Sequence, residues 1–298
     1  MHARPSAGEP GAATPLQDDA IDWSAVVEAT YVVYQRFRYD YPGPIADLHH
    51  RLMVVPREVH GDQRRVASRL DASPHAVMAD TRDAFDNPVA TFFARRIETS
   101  IEFAHRSIVV RSFAEHRVAP AVLEDGILHR QTILTAADAE LRDAARRLRI
   151  EYPAPAALAA AINAFVYEHM RYVTGTTTVE TTASAAFARG KGVCQDFAHV
   201  MLALARHAGL AARYVSGHLI GEGGTHAWVE VFVPDEAGAL VVAYDPTHGC
   251  PVDMRYVVIA VGRDYSDVAP TSGVFTAPYS GTLTATKHMG ATSVRYAS

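Results

Sequence analysis

The chain is poor in cysteine. Two among 298 residues cannot build a disulfide framework, and they do not form the paired C-x-x-C units that a structural zinc site uses. A reducing, cytoplasmic setting is the expectation. Long apolar runs are also missing. No stretch approaches the ~18 apolar residues of a membrane span, and MHARPSAGEPGAATPLQDDA at the start carries no apolar core of the secretory kind. No membrane partner is therefore expected. Positive charge is not in surplus: 28 Lys and Arg face 33 Asp and Glu, for a net charge of -5. Without a broad basic field, a nucleic-acid partner is not expected either.

What is present is enough apolar content, 49%, to fill the cores of two domains. Residues 1–24, rich in Ala, Gly and Pro, read as a disordered tail. From 25 to 115 the segments ATYVVYQRF, HHRLMVVP and ETSIEFAHRSIVV are short, alternating or β-branched, and separated by polar turns such as TRDAFDNP. They predict an all-β, sandwich-like domain. After a linker over 116–134 the period changes: ADAELRDAARRLR and PAALAAAINAFVYEHM repeat their apolar residues at helical spacing, the second with Pro155 near its start. Further on, AARYVSGHL, THAWVEVFV, LVVAYD and RYVVIAV read as strands. Helices followed by an antiparallel sheet predict an α+β domain over 135–290. Residues 291–298 read as a last strand or tail, and GTLTATKHMGATSVRYAS could supply a hairpin.

One cysteine stands at a telling place. In GKGVCQDFAHVMLALARHAGL, Phe197, Val200, Met201, Leu204 and Ala208 share one helical face and Gly209 follows as a stop, so Cys194 begins a helix. The positive end of a helix favours an anion and can bring a thiol from about 8.5 to between about 3.5 and 7.5. A buried, inert thiol is the commoner fate of a lone cysteine. A reactive one needs a base.

In THAWVEVFV, His226, Trp228, Glu230 and Phe232 fall on one face and the aliphatic residues on the other. Residues 234 to 239 read as the connection into LVVAYD. Pairing His226 with Asp245 sets Val233 opposite Gly238 and leaves a four-residue loop, 234 to 237; the even slip sets Asp245 beside Trp228. In either register imidazole and carboxylate share a face, as a Cys–His–Asp arrangement requires.

GVCQDFAHVMLALARHAGLAARYVSGHL, GGTHAWVEVFVP and AYDPTHG together resemble the three blocks of the bacterial transglutaminase-like superfamily. The resemblance covers about residues 150 to 290, and YDYPGPIADLHHRLMVVP with DAFDNPV resembles the β domain that commonly precedes that core. The family usually has glycine where this chain has Asp86. The resemblance implies a papain-like fold, Cys194 as nucleophile, His226 as general base and acid, and Asp245 orienting the imidazole. It implies acyl transfer on amides through a thioester. Amide or peptide hydrolysis leads, with glutamine transamidation and a catalytically silent binding module of the same fold as alternatives.

An oxyanion hole would use backbone N–H groups at Cys194 or its neighbour Gln195, with Tyr172 as a side-chain candidate. Trp228 is a candidate wall of the substrate groove, and Cys250 reads as an inert loop thiol. No metal and no cofactor is expected: His248, His199 and the His49/His50 pair lack ligand spacing, and no EF-hand-like, H-E-x-x-H, G-x-S-x-G or phosphate-loop motif occurs. GEGGT at 221–225 reads as a flexible rim loop. The expected partner is a peptide or protein substrate; nothing specifies an oligomeric state.

Overall fold

A computed structural model describes residues 15–74, 78–124 and 126–297. The first half is built from two antiparallel sheets. In one, Val26–Asp40 lies between Thr282–Tyr296 and Ser100–Ser112, with Gln63–Ser73 beyond the latter. In the other, the order is Thr271–Thr276, Ile45–Leu52, Pro88–Ile97, Met78–Arg82. Along Ser100–Ser112 every second residue from Ile101 to Val109 is buried, the period-2 signature of a strand with one face to the core. Phe37, Ile101 and Phe103 from the first sheet meet Ile45, Leu48, Leu52 and Phe92 from the second. This is the expected sandwich.

Its membership differs from the expectation at both ends of the chain. Residues 271–276 and 282–296 were assigned by pattern to the second domain and a hairpin. Each instead returns to the sandwich, pairing with Ile45–Leu52 and with Val26–Asp40 respectively. TLTATKHMGATSVRY holds few large apolar side chains, so its alternation names no partner. The expected disorder of residues 1–14 lies outside the described residues. Residues 15–24 lie against the sandwich, mostly exposed: the Leu16 N–H donates to the Ala291 carbonyl at 2.7 Å and Trp23 stacks on Tyr31.

The second half is α+β. Ala139–Glu151 is capped by the Asp138 carboxylate, which accepts the Leu141 N–H, and Pro155 opens Pro155–His169, where its missing N–H does no harm. Sequence periodicity overlooked Ala183–Arg189, a two-turn helix between Thr182 as N-cap and Gly190 in the left-handed region at φ +59°. Cys194–His207 follows and is buried almost throughout. Ala227, Val229 and Val231 from the strand His226–Asp235 share its core. The sheet runs 250–251, Gly238–Asp245, His226–Asp235, Ala211–Leu219, Tyr256–Gly262.

Tyr256–Gly262 is an outer strand, and the β domain covers its free edge with two side-chain amides. Gln63 donates to the Val258 carbonyl and accepts the Val258 N–H, both at 2.8 Å; Asn87 does the same at Val261, at 2.7 and 2.9 Å. Each amide imitates one residue of a neighbouring strand. Asn87 is aimed by a turn in which Asp83 accepts the Phe85 and Asn87 N–H groups. Asp86 in that turn sits at φ +64°, the conformation glycine favours and aspartate tolerates better than most residues. The departure from the family's glycine leaves the turn intact.

Candidate active site

Cys194 is the first residue of its helix and is half-buried. The residues before it explain how it gets there. A side chain at Gly192 would collide with the Asp196 carboxylate. That carboxylate accepts the Val193 N–H and the Thr177 hydroxyl, each at 2.7 Å, which ties the helix start to the preceding loop. The first N–H groups of a helix have no partner within it, which leaves those of Cys194 and Gln195 without an intrahelical acceptor beside the thiol.

His226 opens its strand and is buried, 2% exposed. Its Nε2–H donates to Asp245 Oδ2 at 2.6 Å, and the ring lies close enough to the Cys194 thiol for the two to interact electrostatically. Nδ1, the nitrogen that Asp245 leaves free, also lies 3.1 Å from Glu222 Oε2. The register that brings His226 and Asp245 together is the even slip. Asp235 pairs with Gly238 and Val233 with Leu240, so the turn has two residues, not the four of the first register. The Asp235 carboxylate accepts the Ala237 N–H at 2.9 Å and Gly238 takes φ +137°, a local closure that shortens the loop. Since the slip is even, both side chains keep the same face.

Asp245 is fully buried yet crowded with donors. Oδ2 accepts from His226, from His248 Nδ1 at 2.7 Å and from the Tyr256 hydroxyl at 2.8 Å, while Oδ1 accepts the Thr247 N–H at 2.8 Å. Burial opposes its charge, but these bonds outweigh burial and hold the carboxyl well below the usual carboxylate range. His226 shows the mirror effect: burial alone would lower it, whereas its contacts with Asp245 and Glu222, and the nearby Cys194 thiol, raise it well above an ordinary imidazole. The surroundings thus favour the charged form of the ring.

Residues 142–246 match the model of the transglutaminase-like superfamily, and residues 31–110 match the bacterial transglutaminase-like N-terminal region. An uncharacterized protein of Mycobacterium tuberculosis is 32% identical over 278 residues, spanning 82% of this chain and 87% of its own length. The chain belongs to the bacterial transglutaminase-like superfamily. An uncharacterized protein of Mycobacterium leprae is 28% identical over 258 residues, with 80% of this chain and 90% of the relative covered. Among solved structures, a candidate cysteine protease from Cytophaga hutchinsonii shares the fold at a TM-score of 0.73, with 18% identity over 91% of this chain and 93% of that one. Fold class and family are thus as the sequence reading has them.

Within this transglutaminase-like site the remaining candidates separate. Tyr172 is on the rim, 56% exposed, and close enough to feel the charges of Cys194, Glu222 and His226. The Gln195 side chain instead donates to the Val179 carbonyl at 3.1 Å and secures the loop before the helix. Trp228 does not wall a groove: it is completely buried, stacked against His226 at 6.3 Å and edge-on to Tyr256, and so fixes the imidazole from behind. Cys250 is a free thiol whose pKa burial pushes up, as an inert thiol requires.

Four residues at the site were not among the expected site residues. Tyr256 and His248 share Asp245 with His226, Glu222 comes from the glycine-rich rim loop, and Lys287 comes from the C-terminal strand. The Lys287 ammonium donates to Thr225 Oγ1 at 3.2 Å and its charge reaches Cys194. His248 and Tyr256 had one legible signal, their closeness in sequence to Asp245. Lys287 had none, because its position depends on a strand pairing the pattern does not reveal.

Proposed function

We propose that the protein is an amide hydrolase of peptides or proteins that works through a thioester on Cys194. The observation that carries this reading is the buried His226 ring, clamped by Asp245 on one nitrogen and close to the Cys194 thiol at the start of its helix. The thiol proton passes to Nδ1 as sulfur attacks the carbonyl carbon, and the oxyanion meets N–H groups at the helix start. The tetrahedral adduct collapses, the C–N bond breaks, and Nδ1–H protonates the departing amine. Water then gives a proton to Nδ1 and attacks the thioester, which releases the acid and restores the thiol. Glu222 shares Nδ1 in the resting arrangement and yields it to the reaction. The Cytophaga protein's description as a candidate cysteine protease supports hydrolysis over transfer to an amine.

The experiment is incubation with a mixed peptide digest, with and without a primary amine, followed by mass spectrometry. Hydrolysis yields free acids and an acyl-Cys194 adduct that hydroxylamine releases. Incorporation of the amine would make the enzyme a transamidase, and absence of any Cys194 acylation would leave a binding module. A second expectation concerns Asp245. Asp245→Asn presents an amide N–H toward three donors and favours the wrong imidazole tautomer, so kcat should fall about 10³- to 10⁴-fold. Peptide turnover measured beside an unfolding curve checks that the loss is catalytic.

A further inference from the structure

We propose that Glu222, His226 and His248 form a binding site for a divalent ion of zinc's chemistry, which switches the catalytic centre off when it is filled. That it silences catalysis rests on the hydrolase reading above; that it binds does not. The ligand atoms of the three side chains all lie within 4.8 Å of one another. Glu222 offers one oxygen to each ring, Oε2 at 3.1 Å from His226 Nδ1 and Oε1 at 3.7 Å from His248 Nε2. Tetrahedral ligands about 2.0–2.1 Å from zinc stand about 3.3 Å apart, and the two separations bracket that value.

The second argument is what lies behind the rings. Asp245 Oδ2 accepts from His226 Nε2 and from His248 Nδ1, at 2.6 and 2.7 Å. One carboxylate therefore holds one nitrogen of each ring and turns the two opposite nitrogens toward Glu222, where each can ligate an ion once its proton is displaced. A histidine backed by a carboxylate is the arrangement that orients metal-ligating imidazoles, and here it is doubled. Tyr256 and the Thr247 N–H hold the carboxylate in turn. Access is open: His248 and Glu222 expose 44% and 37% of their side chains, and Gly223 and Gly224 beside Glu222 have open space around them.

A second trio, His60, His116 and Glu230, is equally close but lacks this logic. Its Glu230 oxygens are occupied by Arg213 at 2.6 Å and His60 at 2.7 Å, and the neighbouring guanidinium repels a cation. The Glu222 site shares His226 Nδ1 with the catalytic centre. A bound ion takes the Nδ1 lone pair that must accept the thiol proton, so its effect is inhibitory. Any proton on the ligating nitrogens leaves to solvent, and no electron is transferred.

Titration of zinc chloride into the EDTA-treated full chain, followed by calorimetry, is expected to give one ion per chain. Cobalt as a substitute should show the visible bands of tetrahedral coordination. Both His248→Ala and Glu222→Gln, checked for folding by circular dichroism, should weaken binding about 100-fold. Iodoacetamide labelling of Cys194 should stop with zinc and resume with EDTA. Failure of stoichiometric binding, or wild-type affinity in either folded variant, overturns the site; unaffected labelling with zinc bound overturns its inhibitory role. A chain that binds zinc but cleaves no amide would refute the hydrolase and keep the site, and a zinc-indifferent hydrolase would do the reverse.

Discussion

Replacing Cys194 with alanine is expected to remove amide cleavage, by about 10⁴-fold or more, while leaving the fold in place. The size of the loss follows from the chemistry: without sulfur there is no thioester, and the residual rate is that of binding and oxyanion stabilisation alone, as when other enzymes lose their nucleophile. The persistence of the fold follows from the packing. Cys194 is only half-buried at the edge of its core, and the start of its helix is held by Asp196, Val193 and Thr177, not by the thiol. Unfolding free energies of wild type and variant, from urea titration, should therefore agree to within about 1 kcal/mol. Turnover that survives in Cys194→Ala would refute the proposed nucleophile.

Acid should unfold the protein steeply. His50, His105, His199 and His218 are each 5% exposed or less. Burial pushes the first, third and fourth down to about 4 and His105 to about 3. His199 shows the neutral form directly, since its Nε2 accepts the Tyr265 N–H. In the unfolded chain all four titrate near 6.5. Above that value neither state holds the protons and stability is unaffected. As pH falls through 6.5 the unfolded chain takes up protons that the native state refuses, and by pH 5 the difference approaches one proton per histidine. Four such sites give a slope of about 5 kcal/mol per pH unit, large against the roughly 5–15 kcal/mol that hold an ordinary domain together. His226 and His248 are raised, so their contribution is full below 6.5 and is lost only as pH rises; they do not offset the acid loss. Urea midpoints between pH 7 and 4.5 test this, and His50→Gln should lower the slope by about one proton. A midpoint flat from pH 7 to 5 would refute it.

The four histidines lie on both halves of the chain, and their environments were not legible in sequence. What was legible follows from periodicity. Phe197, Val200, Met201 and Leu204 mark a helical face wherever the helix sits, and the alternation in THAWVEVFV assigns faces whatever the partner strand. Parity is why the pairing of His226 with Asp245 could be read despite an ambiguous register. The geometry that remained hidden is non-local or carried by small groups. Thr282–Tyr296 is thin in large apolar side chains, Ala183–Arg189 is too short to establish a period, and Glu222 sits among glycines that carry no pattern. Spacing along the chain likewise gave no hint that His248 and His226 converge, because a single carboxylate gathers them in space.

The two amides of Gln63 and Asn87 make the β domain more than a neighbour. A catalytic half expressed without it would present the backbone of Val258 and Val261 to solvent along an apolar strand edge. Such an edge recruits the matching edge of another molecule. The sandwich thus acts as a built-in chaperone for the sheet that carries the histidine, and an isolated half should be recovered as aggregate before it is recovered as enzyme.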